Sequence, residues 1–387
     1  MAEGNVRKRG DKWYYSFEAA QVDGKRKRIE RVGGYSEKEA RKALRKAIDE
    51  YENGNVQIKL DKMSVADYFN YWLVNYVERN LKYNTVKNYR NILKKYIIPK
   101  LGKYRVRTLS PEMLQEFIDD IADNATTKQG NPLAQHTVAI IFTVTKEALR
   151  RAVFPYRIIK DNPMAYVDMP KYEPQPKKTK QDLKIISLDQ YRELLNYFPV
   201  ADSFHMPLAI AFNTGMRRGE ICALTWDKID LVNNTITVDS NMIQHGKGTY
   251  ELASPKTKAS YRTIDIGQTL VNELKEKRKS QMENQMRYGR LYDKSNFVCT
   301  EENGTPVLPN SIKYKAQLVQ DKLHMNFNFH SLRHTHATML LEAGEKMKVV
   351  SERLGHSRIS TTMDTYSHVT HKMRKNTVSL IEQIQNE

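Results

Sequence analysis

The apolar residues of this chain change their spacing along its length, and each spacing admits a different kind of element. Trp13-Tyr14-Tyr15-Ser16-Phe17 is rich in strand formers, Asp23-Gly24 is a hairpin-turn dipeptide, and a second strand is expected to follow from Arg26 to Val32. Gly33-Gly34 ends the second run. Ser36, with Glu39 three residues later, makes a capping box that predicts a helix through about Tyr51. From Ser64 the spacing turns helical: Val65, Tyr68, Phe69, Trp72, Leu73 and Tyr76. A second run, Val86, Tyr89, Ile92, Leu93, Tyr96 and Ile97, is expected to stop at Pro99 and Gly102. Ser110-Pro111 caps a third helix, and a fourth runs from about Ala134 through Leu149. These aromatic stripes read as core rather than as stacking platforms. Pro170, Pro174 and Pro176 then alternate with Lys171, Lys177, Lys178 and Lys180, which favours an extended path. Beyond them Ser187 and Gln190 box the start of a helix, Thr235 to Val238 and Arg262 to Ile266 form hairpin strands, and the rest is mostly helical.

The expected architecture is a multidomain α+β chain. A small β-sheet-plus-helix domain covers residues 1–57, a helical domain 63–169, a linker 170–184, and a mixed, mainly helical domain with a C-terminal tail 185–387. With 40% apolar residues among 387, it can bury a sizeable core and is not a disordered chain. Cys222 and Cys299 are its two cysteines, which excludes a disulfide-dense scaffold and suits a reducing compartment. Met1 to Asn5 carries no apolar signal region, and no run of about 18 apolar residues is present to span a membrane. The expected site of action is the cytoplasm.

The net charge of +18 makes a polyanion the first candidate partner, and nucleic acid the first polyanion. Nine basic residues fall between Arg7 and Arg31, more than protecting an exposed strand edge requires. A two-stranded ribbon is narrow enough for a major groove, so Arg7, Arg9, Lys25, Arg26, Lys27 and Arg28 are expected to contact DNA. Lys87 and Lys94 lie with Lys82, Arg90 and Lys95 on the polar side of the second helix, either as a solvated face or as phosphate contacts. The proline-lysine stretch is equally a plain tether or a strap along a DNA backbone.

Six residues could clamp a phosphodiester and attack it without a metal. They are Arg217 in Thr214-Gly215-Met216-Arg217, Lys256 after Pro255, His330 and Arg333 in His330-Ser331-Leu332-Arg333-His334, His356 after Gly355, and Tyr366 in Thr365-Tyr366-Ser367. A phenol is a nucleophile that needs activation at neutral pH, since its ordinary pKa is about 10. An arginine fork matches two phosphate oxygens, lysine can protonate a leaving hydroxyl, and histidine exchanges protons near pH 7. His330 and Arg333 share a face if their segment is helical. Neither a histidine pair bracketing a glutamate, a Cys-x-x-Cys nor a Walker-type glycine loop occurs, so no metal and no cofactor are expected.

Taken together and in this order, the six residues resemble the catalytic set of the tyrosine recombinases, in particular the integrases of phages and conjugative transposons. The match extends over Thr214 to Glu220, Leu224 to Asp230, Leu354-Gly355-His356-Ser357 and Thr361 to Val369. The resemblance implies that Tyr366 attacks the scissile phosphate and stays linked to its 3′ side. It implies that Arg217 and Arg333 clamp the phosphate and that Glu220 orients the first arginine. Lys256, on a β-hairpin tip, would be the general acid, His330 would assist proton transfer, and His356 would bond a non-bridging oxygen. It further implies an arm-type DNA-binding domain at the N-terminus, a core-binding (SAM-like) helical domain, double-stranded DNA with core and arm-type sites as substrate, a homotetramer on DNA, and an accessory excision or bending factor as a possible partner. Val378, Leu380, Ile381 and Ile384 form a helical stripe that docks either on its own domain or on a neighbouring copy. Two other classes stand beside this reading: a non-catalytic DNA-binding regulator on the same scaffold, and a type IB topoisomerase.

Overall fold

The computed structural model describes residues 4–22, 25–61, 63–127, 129–172, 183–246, 248–255 and 257–366. The chain forms two compact units, Met1–Pro174 and Gln175–Glu387.

The first unit opens with a three-stranded antiparallel sheet in the order β1 (Gly4–Arg9), β2 (Lys12–Val22), β3 (Lys25–Gly34). Asp23 and Gly24, the expected turn, lie outside the described residues, as do the side chains of Lys25, Arg26 and Lys27. Strand alternation sends Tyr15 and Phe17 inward, where they meet Leu44 of helix α1 (Glu37–Asp61). The Ser36–Glu39 box forms as expected: the Glu39 amide donates to Ser36 Oγ at 3.3 Å, and the Ser36 amide to the Glu39 carboxylate at 3.3 Å. The helix runs ten residues past Tyr51, through Gly54. A helical glycine costs about 1 kcal/mol relative to alanine, and no proline stands there to break the ladder.

Helices α2 (Val65–Trp72), α3 (Glu78–Asn80), α4 (Tyr83–Ile92), α5 (Ile98–Leu101), α6 (Pro111–Asn124) and α7 (Gln135–Val153) pack around a second core. The aromatic stripes are that core: Tyr68, Phe69 and Trp72 are fully buried, and the Tyr68 hydroxyl donates to the Ala148 carbonyl at 2.6 Å. Ser64 and Ser110 cap α2 and α6 through bonds from Asp67 and Met113 amides. Pro99 does not stop the second helix. The preceding turn, Leu93–Ile97, widens to accommodate a ring that can donate no bond, and the helix ends one turn later at Gly102.

In the second unit, α8 (Leu188–Tyr197) starts in the expected Ser187–Gln190 box. Helices α9 (His205–Thr214) and α10 (Arg218–Ala223) lead to a small sheet ordered β4 (Ile229–Asp230), β5 (Thr235–Val238), β8 (Arg262–Asp265). The expected pairing of β5 with β8 is present, with Ile236 opposite Ile264. A second hairpin not foreseen from sequence, β6 (Asn241–Gln244) with β7 (Tyr250–Ala253), is inserted between them. Its strands are too short and mixed to show a period of two. Helices α11 (Gln268–Tyr288), α12 (Pro309–Leu323), α13 (Ser331–Glu342), α14 (Met347–Leu354) and α15 (Ile359–Thr365) complete the unit. The main core gathers α9, the sheet, α11 and α12. A smaller one holds Leu183, Ala337, Leu341, Val350, Leu354 and the ring of Tyr366. No helix among the described residues is long and apolar enough to cross a membrane.

Candidate active site

Two helix ends build the arginine seat. Helix α9 ends at Gly215 and α14 at Gly355, both left-handed, with φ of +67° and +69°. A Cβ on Gly215 would lie 2.7 Å from Leu354 and 2.9 Å from His336, so the turn tolerates no side chain. These turns leave carbonyls unpaired by their helices, and the partial negative charge there favours cations. Arg333, on the first turn of α13 and only 2% exposed, donates to Gly215 O at 2.7 Å and Leu354 O at 2.8 Å. Arg217, at the N-cap of α10, donates to Gly355 O at 3.1 Å and remains about a third exposed. Consecutive carbonyls thus hold the two arginines.

Glu220 is the acidic partner in the middle. Its Oε1 accepts from Arg217 Nη1 at 2.8 Å, and its Oε2 accepts from the Arg217 amide at 3.0 Å and Arg262 Nη2 at 2.9 Å. Burial disfavours the charged carboxylate, but Arg262 and Arg217 outweigh it and hold the Glu220 carboxyl below its usual range. Arg262 in turn donates from Nε to Arg353 O at 2.7 Å. Burial and the Arg217 charge lower the Arg333 pKa to about 9, which leaves it cationic at neutral pH. Three guanidinium groups around one carboxylate leave an excess of positive charge, preorganised for an anion.

Three histidines around this seat, His356, His330 and His336, are neutral at pH 7. Burial, followed by Arg333, Arg217 and Arg262, lowers His356 to about 4, and its Nδ1 lies 2.8 Å from Thr362 Oγ1. His330 is lowered to about 3, with burial the first cause and His334, Arg333, Arg217 and His356 following. Its ring keeps an exposed edge, so the crowding is incomplete, and the Arg333 and Arg217 charges secure the direction. His336 donates from Nδ1 to Phe212 O at 2.8 Å and accepts from Arg353 Nε at 3.0 Å, a brace under the seat.

Tyr366 follows α15. Its ring is fully buried, and its Oη lies 3.0 Å from Nδ1 of His334. Burial raises the phenol to about 12, partly offset by the Arg333 charge, so it is protonated at pH 7. A cleft of about 570 Å³ opens beside these groups, lined by Arg217, Arg218, Lys313, Asn328 and His330 among others. A larger cleft of about 700 Å³ in the first unit is lined by Arg107, Arg157, Lys160, Asp161 and Tyr166 among others and has no histidine.

Of the residues expected from sequence, Arg217, Glu220, His330, Arg333, His356 and Tyr366 are brought together. Lys256 lies outside the described residues, between β7 and β8. On the sheet of the first unit, Arg7 and Arg9 project outward and share Glu30, at 2.8 and 3.7 Å, and Arg28 donates to Ser16 Oγ at 2.9 Å. Lys87 and Lys94 are exposed. Sequence reasoning missed Arg262, a guanidinium side chain 6% exposed in an otherwise ordinary strand, and the contact of His334 with the Tyr366 hydroxyl, whose only signal was its place beside Arg333.

Comparison with known proteins places the chain. The profile of the phage integrase family matches residues 184–373, that of the phage integrase N-terminal SAM-like domain 64–122, and that of the arm DNA-binding domain 5–51. The integrase of Staphylococcus phage L54a is 25% identical over 360 residues, covering 88% of this chain and 99% of its own. A XerC-like tyrosine recombinase of Caldanaerobacter subterraneus subsp. tengcongensis is 34% identical over 187 residues, 45% of this chain, and the chain spans about half (48%) of that relative. The fold resembles that of the Tn1549 transposon integrase in complex with transposon right end DNA, with a TM-score of 0.63 at 19% identity, over 83% of this chain and 100% of that one. With three profiles in chain order, the chain belongs to the phage integrase family of tyrosine-type site-specific recombinases.

Proposed function

We propose that this protein integrates and excises a mobile element by cutting and rejoining double-stranded DNA through a 3′-phosphotyrosine intermediate. Tyr366 Oη attacks the scissile phosphorus, Arg217 and Arg333 hold the non-bridging oxygens, and His356 adds a third bond to them. Glu220 keeps Arg217 oriented, His330 assists proton transfer, and Lys256 protonates the departing 5′ oxygen. The phosphotyrosine ester conserves the bond energy of the backbone, so a 5′ hydroxyl from a partner strand can reverse the step and join new strands. The observation that carries this reading is that the consecutive carbonyls of Leu354 and Gly355 hold the two arginines, while the tyrosine hydroxyl ends on the residue next to Arg333.

Residues 1–57 serve as the arm-binding domain, 63–169 as the core-binding domain, and 185–387 as the catalytic domain. The active form is a tetramer on paired DNA sites. The DNA in the Tn1549 integrase complex supports the choice of substrate. The test is a nicked suicide duplex carrying the element's attachment site. Wild-type protein should accumulate a covalent protein–DNA adduct that Tyr366→Phe does not form. Specific binding with no adduct from wild type would indicate a regulator, and relaxation of any supercoiled plasmid without site preference a topoisomerase.

A further inference from the structure

We propose that His334 is the proton acceptor for the nucleophile, positioning the Tyr366 hydroxyl and taking its proton as the phenolic oxygen bonds to phosphorus. This rests on the reading of Tyr366 as the attacking group. Tyr366 Oη and His334 Nδ1 are 3.0 Å apart, the separation of a hydrogen bond ready for transfer. Helix geometry explains the placement: His330, Arg333 and His334 stand at i, i+3 and i+4, so one turn of α13 carries them on a common face. Arg333 is locked by two carbonyls, and the His330 ring meets that of His334 edge-on, with centroids 4.8 Å apart and planes at 89°. The imidazole next to the locked arginine is therefore held in plane as well as in place.

The nucleophile needs such a partner. Its ring is buried with Leu341, Val350 and Leu354, where water is a poor route for the proton. A protonated phenol is a weak nucleophile until an acceptor is in contact with it. His356 faces Thr362 Oγ1 through its own Nδ1, at 2.8 Å. In the step, the Oη–H bond breaks and the proton passes to His334 Nδ1, whose ring carries its other hydrogen on Nε2 and becomes imidazolium. The Oη–P bond forms, the P–O5′ bond breaks, and the 5′ oxygen leaves with a proton from the general acid. In the joining direction His334 returns the proton to the phenol.

The test compares His334→Ala and His334→Asn with wild type on the nicked suicide duplex, with folding checked by near-UV circular dichroism. Both variants should bind the duplex within about twofold of wild type and form adduct roughly 10²-fold more slowly. Free imidazole should restore part of the rate to His334→Ala. A duplex with sulfur in place of the bridging 5′ oxygen needs no leaving-group proton and should leave the deficit in place. Adduct formation by His334→Ala within twofold of wild type overturns the assignment. So does full activity of His334→Asn without an imidazole effect, or full recovery on the sulfur-bridged duplex. Tyr366→Phe separates the two ideas: an adduct from that variant sinks the nucleophile itself, whereas its loss beside a normal His334→Ala sinks only the role of His334.

Discussion

Arg333 and Arg217 sit on the same pair of consecutive carbonyls at different depths, and that difference separates stability from chemistry. Removing Arg333 strands two buried carbonyls, which costs about 1–3 kcal/mol per unsatisfied group, whereas Arg217, about a third exposed, leaves room for water. Arg217→Ala and Arg333→Ala should each slow adduct formation roughly 10²–10³-fold while specific binding stays measurable. Only Arg333→Ala should also lower the thermal midpoint clearly; equal midpoints for the two would contradict the burial argument. Gly215→Ala is the second residue-scale case. Its left-handed backbone costs a non-glycine residue about 1–2 kcal/mol, and the new methyl collides with Leu354 and His336. Urea titration should show a loss of at least that size, with adduct formation reduced because Gly215 O aims Arg333.

Helix α13 turns this local chemistry into pH dependence. It carries His336 (8% exposed), lowered to about 4 from 6.5 by burial and then by the Arg353 charge. The unfolded chain therefore takes up this proton first as pH falls. Stability from this group is full above pH 6.5, declines between 6.5 and 4, and is constant below. At ~1.4 kcal/mol per pKa unit the loss amounts to roughly 3 kcal/mol. Unfolding free energy should be lower at pH 5 than at pH 7, and His336→Gln should flatten the slope; an unchanged slope would remove His336 as its source. Glu220 has the opposite chemistry and adds a further loss at lower pH. Its folded pKa is below 4.5, so its contribution is full above that value and disappears as pH falls through the folded pKa.

At the scale of the whole molecule, charge is the main lever on binding. With a net charge of +18 and exposed arginines on the N-terminal sheet, affinity for DNA should fall linearly on a log-log plot against salt, through release of counterions. Arg7→Ala with Arg9→Ala should reduce that slope on arm-site DNA and leave adduct formation on a core-site duplex near the wild-type rate. A salt-independent affinity would remove the electrostatic account. Glu30 sits among Arg7, Arg9 and Arg28, which keep its carboxyl below the ordinary range, so Glu30→Gln should strengthen non-specific binding.

The helices and caps were legible in the residues because their causes are local. Ser36, Ser64, Ser110 and Ser187 each bond an amide three residues away, and apolar stripes repeat within a turn or two. The continuation past Pro99 and the β6–β7 hairpin were not, because a widened turn and two four-residue strands leave almost no periodic trace. Six reactive residues were readable as a motif, yet the assembly of the five that are described, Arg217, His330, Arg333, His356 and Tyr366, was not. Arg333 reaches Gly215 across 118 positions and Arg217 reaches Gly355 across 138, and no local pattern states such a contact. The residues by themselves determined which chemistry was available and which segments became helices. Only the tertiary packing decided that His334 of α13 meets the phenol after α15 and that Arg262 of β8 braces Glu220 of α10, because the bonds that aim these groups run between chain segments that meet only when the core closes.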